Sequence, residues 1–244
     1  MASNNNGESR RKMLPCCRLI IVEGIVGSGK SQTTQRLTNF LRRQGERVLS
    51  FNEAACPHPT RIITDLQDPL APWRELTAAE LADRSLRKWR RFVAEQETEP
   101  GLAILDGQLF HGDLTTLFMM EMAAAEIAAY VAEVEKIIQP LNPLLIYLDI
   151  GLVDHSLPRT FAARGDRWQR RQLDWKLNSP YCRQRSYSGL AGYIRFYRDY
   201  QALCRELLGR FAGEKLVVAV RPAAWPENLA RIEEFVLLRL RRGR

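Results

Sequence analysis

The sequence predicts an α/β fold built around a parallel sheet, and three observations carry that reading. Apolar, β-rich segments recur at residues 19–22, 47–51, 102–105, 144–148 and 216–220. The stretches between them place apolar residues at helical spacing, the strand–helix alternation of a parallel sheet. The first segment then runs through Gly24 into the spacing G-x-x-x-x-G-K-S, which ends at Lys30 and Ser31.

The elements follow in order. After the strand at 19–22, residues 32–43 read as a helix with Leu37, Phe40 and Leu41 on one face, closed by Gly45. Between the second and third strands lies a helix at 77–96, opened by Thr77 with Glu80 three residues on, a capping-box pattern. The stretch 114–138 carries Leu117, Met120, Ile127, Val131 and Val134 at helix-like spacing and reads as one long core-packed helix before Pro140 and Pro143. Residues 189–211 and 226–240 read as two further helices, the last with Pro226 near its first turn.

The 24–31 spacing has a physical task for each residue type. Glycines let backbone N–H groups turn inward around phosphate oxygens, and the helix N-terminus adds partial positive charge. Gly24, Gly27, Ser28, Gly29, Lys30, Ser31 and Gln32 are therefore expected to cradle a nucleoside triphosphate. Lys30 reaches the β- and γ-phosphates and Ser31 ligates Mg²⁺. ATP and Mg²⁺ are the expected cofactors.

A chain of 244 residues, 45% hydrophobic, can bury one substantial core. Residues 16–244 are read as a single domain and the polar residues 1–15 as a disordered leader. No apolar run reaches the ~18 residues that span a membrane. The five cysteines are scattered, with neither a disulfide framework nor a zinc spacing, and a cytoplasmic location is expected. Between Arg159 and Arg210 twelve basic residues face four acidic ones, an excess equal to the whole net charge of +8. Arginine dominates, which suits bidentate phosphate recognition more than loose attraction to a polyanion.

In a parallel sheet, ligands bind beyond the carboxyl ends of the strands. The second strand ends near Glu53, a candidate to take a proton from an acceptor hydroxyl or to join the Mg²⁺ shell through water. The third ends in Asp106, where a second Mg²⁺ ligand is expected. Asp149 closes the fourth strand and is read as structural. His58 and His111 lie in loops that could face an acceptor, although a lone loop histidine is more often exposed or structural.

These motifs resemble P-loop kinases of the thymidylate kinase and deoxynucleoside kinase group. The resemblance runs from residue 19 onward and rests on IIVEGIVGSGKS, Glu53, ILDGQLF, YLDIGLVDHSLPRTFAARGDR and the terminal VVAVRPAAW. It implies a three-layer α/β/α P-loop NTPase fold with a five-stranded parallel sheet and an Arg-rich helical lid at about 159–187. By the same likeness Arg159, Arg164 and Arg167 would close over the triphosphate, and the loop from Arg221 to Trp225 would lie near the adenine. The chain also departs from the group. Gly107 follows Asp106 where relatives carry arginine, so the acceptor pocket is not carried over, and Arg61 or a lid arginine is the candidate substitute.

The expected activity is transfer of the γ-phosphoryl group of ATP to a hydroxyl or phosphate oxygen of a small-molecule acceptor, with nucleosides or nucleotides first and a metabolite or antibiotic hydroxyl second. Lys30, Glu53, Asp106, Arg159, Arg164 and Arg167 would be the catalytic set, and Ser31 and Asp106 the metal ligands. The alternatives are a P-loop NTPase switch and a nucleic-acid-binding module using the basic segment. No Asn-Lys-x-Asp segment supports the former, and neither a nucleic-acid partner nor a membrane is expected. A homodimer is left open.

Overall fold

The computed structural model describes residues 17–221 and 224–241, and the expected leader at 1–15 lies outside them. Five strands, β1 (Leu19–Glu23), β2 (Val48–Phe51), β3 (Leu102–Asp106), β4 (Leu144–Asp149) and β5 (Glu214–Ala219), form one sheet in the order β2-β3-β1-β4-β5. Every pairing is parallel. The sequence-based expectation of a five-stranded parallel sheet therefore holds.

Side-chain alternation divides the interior into two layers. Ile20, Val22, Ile104, Ile146 and Leu148 point to one face and pack with α1 (Lys30–Arg43) and α9 (Trp225–Arg241). Leu19, Ile21, Ala103, Leu105, Leu145 and Tyr147 point to the other, against α2 (Ala78–Thr98), α4 (Ala124–Ile138) and α8 (Gly189–Arg210). Both faces are covered, so the central strands read as unbroken apolar runs.

α2 starts where its capping box predicts. Thr77 Oγ1 accepts from the Glu80 amide at 3.2 Å, and the Thr77 amide donates to Glu80 Oε2 at 2.8 Å. The stretch 114–138 differs from the single helix expected. A π-helical turn at Leu109–Leu114 leads into the short α3 (Thr115–Met119), and the chain breaks before α4. Glu121 at φ +64° makes the break, and Glu126 Oε2 accepts from the Ala123 amide at 3.1 Å to start the next helix. The helix-like spacing survives because α3 and α4 present Leu117, Ile127, Val131 and Val134 to the same core.

Three helices form the lid: α5 (Val153–Arg164), α6 (Asp166–Leu177) and α7 (Pro180–Gln184). Gly165 at φ +82° turns the chain between the first two. Phe161 packs on Trp168 and on Tyr193, with ring centroids 5.6 and 5.0 Å apart, which anchors the lid on α8. Among the described residues no helix is long and apolar enough to cross a membrane.

Candidate active site

The carboxyl end of β1 and the start of α1 enclose the phosphate loop. A Cβ at Gly27, which has φ +80°, would overlap Thr160 Oγ1, so the lid helix α5 sits directly on the loop backbone. The indole of Trp225, at the start of α9, packs against Gly29. Lys30 is buried, and its Nζ donates to the Ile25 carbonyl at 3.1 Å, across the mouth of the loop. Burial pulls its ammonium below the ordinary value, opposed by Glu53, Asp106 and Glu23.

Asp106 stands opposite Val22 in the β3–β1 register, beside the loop. Both of its carboxylate oxygens are buried without a hydrogen-bond partner among the described residues. Burial raises its proton affinity, while the Ser31 hydroxyl and the Lys30 ammonium act against that. A carboxylate with two unspent oxygens next to a hydroxyl is a hard-oxygen donor set of the kind Mg²⁺ takes. The residues present therefore fit the cation that the motif implies.

A cavity of about 340 Å³ opens above the loop. Gly27, Gly29, Lys30, Ser31 and Gln32 line it together with Glu53, Arg61 and His111, and Lys30 and His111 both flank Gly107. The lid contributes Thr160, Arg164, Trp168, Gln172 and Trp175, and Tyr197 closes it from α8. Gly24 and Ser28 lie buried in the loop itself.

Glu53 and His111 form a pair, with Nε2 to Oε2 at 3.2 Å. The imidazole hydrogen bond holds the Glu53 carboxyl down at about 2. Burial, aided by Lys30, pushes His111 down to about 3. The imidazole is thus neutral and donates its Nε2–H to an ionised carboxylate. Arg61 is buried beside them, its Nη1 donating to the Glu53 carbonyl at 2.8 Å. His58 fixes that arginine: its Nδ1 accepts from the amides of Thr60 and Arg61 at 3.2 and 3.0 Å, and burial lowers it to about 4. His58 is therefore a structural residue and His111 a lining one, and neither is an exposed loop histidine.

Beneath the cavity lies Glu23, fully buried at the end of β1. Its Oε1 accepts from the Leu109 amide at 2.6 Å and its Oε2 from the His111 amide at 3.0 Å. Burial raises its carboxyl to about 7. Thr115 Oγ1 and the Tyr200 hydroxyl hold the neighbouring Phe110 carbonyl. These contacts seat the π-helical turn and thereby aim His111 at Glu53. The sequence signal for Glu23 was an acid ending an otherwise apolar strand.

The remaining expected residues are not all brought together. Arg164 lines the cavity, whereas Arg159 is exposed with Nε donating to the His155 carbonyl at 3.0 Å. Arg167 lies on the far side of α6, in a neighbouring cavity. Arg221 is exposed after β5, its carbonyl accepting from the Ala224 amide at 3.0 Å. Asp149 Oδ1 accepts from the Gly151 amide at 2.9 Å, a turn-holding contact.

Gly107 explains the missing arginine. It sits at φ +63°, and a Cβ there would stand 2.7 Å from Lys30 Cε. Any side chain at this position would displace the phosphate-loop lysine.

Comparison with known proteins gives a structural likeness. No family model and no curated protein matches the sequence. A thymidylate kinase from Ehrlichia chaffeensis superposes with a TM-score of 0.52 at 10% identity, covering 92% of this chain and 98% of its own. The YorR protein of Bacillus subtilis, in complex with phosphorylated GDP, matches with a TM-score of 0.47 at 13% identity, covering 93% and 98%. The chain thus shares the fold of that thymidylate kinase.

Proposed function

We propose that the protein is an ATP-dependent phosphotransferase acting on a small-molecule acceptor, with a nucleoside or nucleotide as the first candidate. The observation that carries this is a single cavity in which the 27–32 loop and Lys30 meet a buried cation and an ionised carboxylate, Arg61 and Glu53, beyond what a triphosphate site alone requires.

Transfer of a phosphoryl group is mostly positioning and charge stabilisation. The loop amides and Lys30 would bind the donor phosphates, and Ser31 and Asp106 would hold Mg²⁺, which would supply neutralisation of phosphate charge. Glu53 is held too acidic to be a strong base, so it orients the acceptor hydroxyl by accepting its hydrogen bond, with His111 fixing the carboxylate. Arg61 engages the acceptor, and Arg164 from the lid faces the transferring group. Arg159 and Arg167 would have to move with the lid to join it.

The test is a thermal-shift screen of nucleosides, nucleotides and aminoglycoside-like alcohols with Mg²⁺ and a non-hydrolysable ATP analogue, followed by turnover assays on each hit. One hit should be phosphorylated, with activity lost in Lys30→Ala and Asp106→Asn. ATP hydrolysis that no acceptor in a broad panel stimulates would overturn the proposal.

A further inference from the structure

α6 separates two cavities. Trp168, Gln172 and Trp175, at spacings of four and three, face the phosphate-loop cavity. Arg167, Arg170, Arg171 and Asp174 occupy the adjoining face and line a second cavity of about 620 Å³, and Trp175 borders both. The far wall comes from the segment before α2, with Leu70, Trp73 and Arg74, and Arg183 of α7 closes one end.

The charges of this second cavity are unbalanced. Arg74 is paired with Asp68 at 3.2 Å. Arg167, Arg170 and Arg171 have no ion-pair or hydrogen-bond partner among the described residues, and Arg183 reaches only Asn178 Oδ1 at 3.3 Å. Against these four guanidinium groups the cavity offers one further carboxylate, that of Asp174. Like charges gathered on two turns of one helix repel, a cost that an anion would relieve. Guanidinium groups present paired donors that match phosphate oxygens.

The rest of the lining is apolar and aromatic. Leu70 is 37% exposed, and Trp73 is half-buried beside it. Trp175 keeps its indole Nε1 buried without a hydrogen-bond partner among the described residues. Arginines beside an indole face suit a planar ring carrying phosphate. The volume is that of a small-molecule site, and the acids at its edge oppose a continuous polyanion.

From this geometry we infer a second binding site, separate from the phosphate loop, that takes a nucleoside phosphate with its phosphate on Arg170, Arg171 and Arg183 and its base against Trp73.

Titration calorimetry with thymidine 5′-monophosphate, thymidine, pyrophosphate and a twenty-residue oligothymidylate tests this on the wild type, Arg170→Glu/Arg171→Glu, Trp73→Ala and Arg61→Ala. The monophosphate should bind wild type at least tenfold tighter than thymidine. Measured in an Arg61→Ala background, which removes the acceptor contact of the other cavity, the monophosphate should still bind, and the double variant should lose at least tenfold in that affinity and Trp73→Ala at least threefold. ATP-analogue binding and Tm, near wild type in the double variant, establish that it is folded. Affinity unchanged in the double variant, or lost in Arg61→Ala, would overturn the site. Pyrophosphate binding as tightly as the nucleotide with no effect of Trp73→Ala would mark a plain anion site. Oligothymidylate binding a hundredfold tighter than the monophosphate would assign the surface to nucleic acid. Either of these last two results overturns the proposal.

Discussion

His111 donates its Nε2–H to Glu53 Oε2 across 3.2 Å, joining the loop after β3 to the loop after β2. Neither residue is near the other in sequence, and the bond exists because Glu23 seats the turn that carries His111. The Glu53 carboxylate is therefore oriented by two residues behind it.

Removing that orientation should slow turnover and leave donor binding intact. His111→Ala is expected to lower kcat about tenfold or more, with the KM for ATP within about twofold, because misplacing a positioning group costs mainly the transition state. His111→Asn, which retains an N–H donor, should recover part of the loss. Steady-state kinetics with the identified acceptor check both.

The same residues set opposing pH dependences of stability. Glu23, raised from 4.5 to about 7, contributes stability that is full below pH 4.5 and lost as pH rises to 7. His111, lowered from 6.5 to about 3, contributes stability that is full above pH 6.5 and lost as pH falls toward 3. Between pH 4.5 and 6.5 the two slopes cancel. Denaturant unfolding should show Glu23→Gln gaining stability with pH across that window and His111→Asn losing it.

Gly107→Ala should destabilise the fold and weaken ATP binding together. The position demands a positive φ, a strain of about 1–3 kcal/mol for another residue, and the new methyl group meets Lys30. Gly107→Arg, the residue of the relatives, should be worse still and should not restore their acceptor chemistry. Tm and the affinity for an ATP analogue report the two effects.

Arg61→Ala is expected to raise the acceptor KM about tenfold or more and to leave the KM for ATP nearly unchanged, since its guanidinium is held on the 53–61 loop by the Glu53 carbonyl and not on the 24–31 loop. His58→Ala should do the same more weakly by freeing the Thr60 and Arg61 amides. Equal loss of ATP and acceptor binding in either variant would refute this division of the cavity.

Much of the fold was legible because its signals are local. The apolar strands, the 24–31 spacing and the Thr77–Glu80 capping box each fit within a few residues, and each element formed where its pattern lay. The site was legible only in part. Lys30, Ser31, Glu53 and Asp106 follow from their place after a strand, but Glu23 and His111 acquire their roles through contacts across 88 residues. The arginines at 159, 164 and 167 look like one cluster in sequence. The turn at Gly165 puts them on two helices, which sends Arg164 toward the phosphate loop and Arg167 to the other side of α6.

Glu23 also bears on how such a protein can be altered. It is rooted in the strand that feeds the phosphate loop, yet both of its oxygens are spent on the amides of the segment after β3. A different segment grafted into 107–119 would have to present backbone amides to both oxygens of this fully buried acid in the same geometry, or undermine the loop from below. One buried acid thus ties the strand before the 24–31 loop to the segment after β3, while Glu53 and Arg61 stand on the 53–61 loop, which Glu23 does not touch.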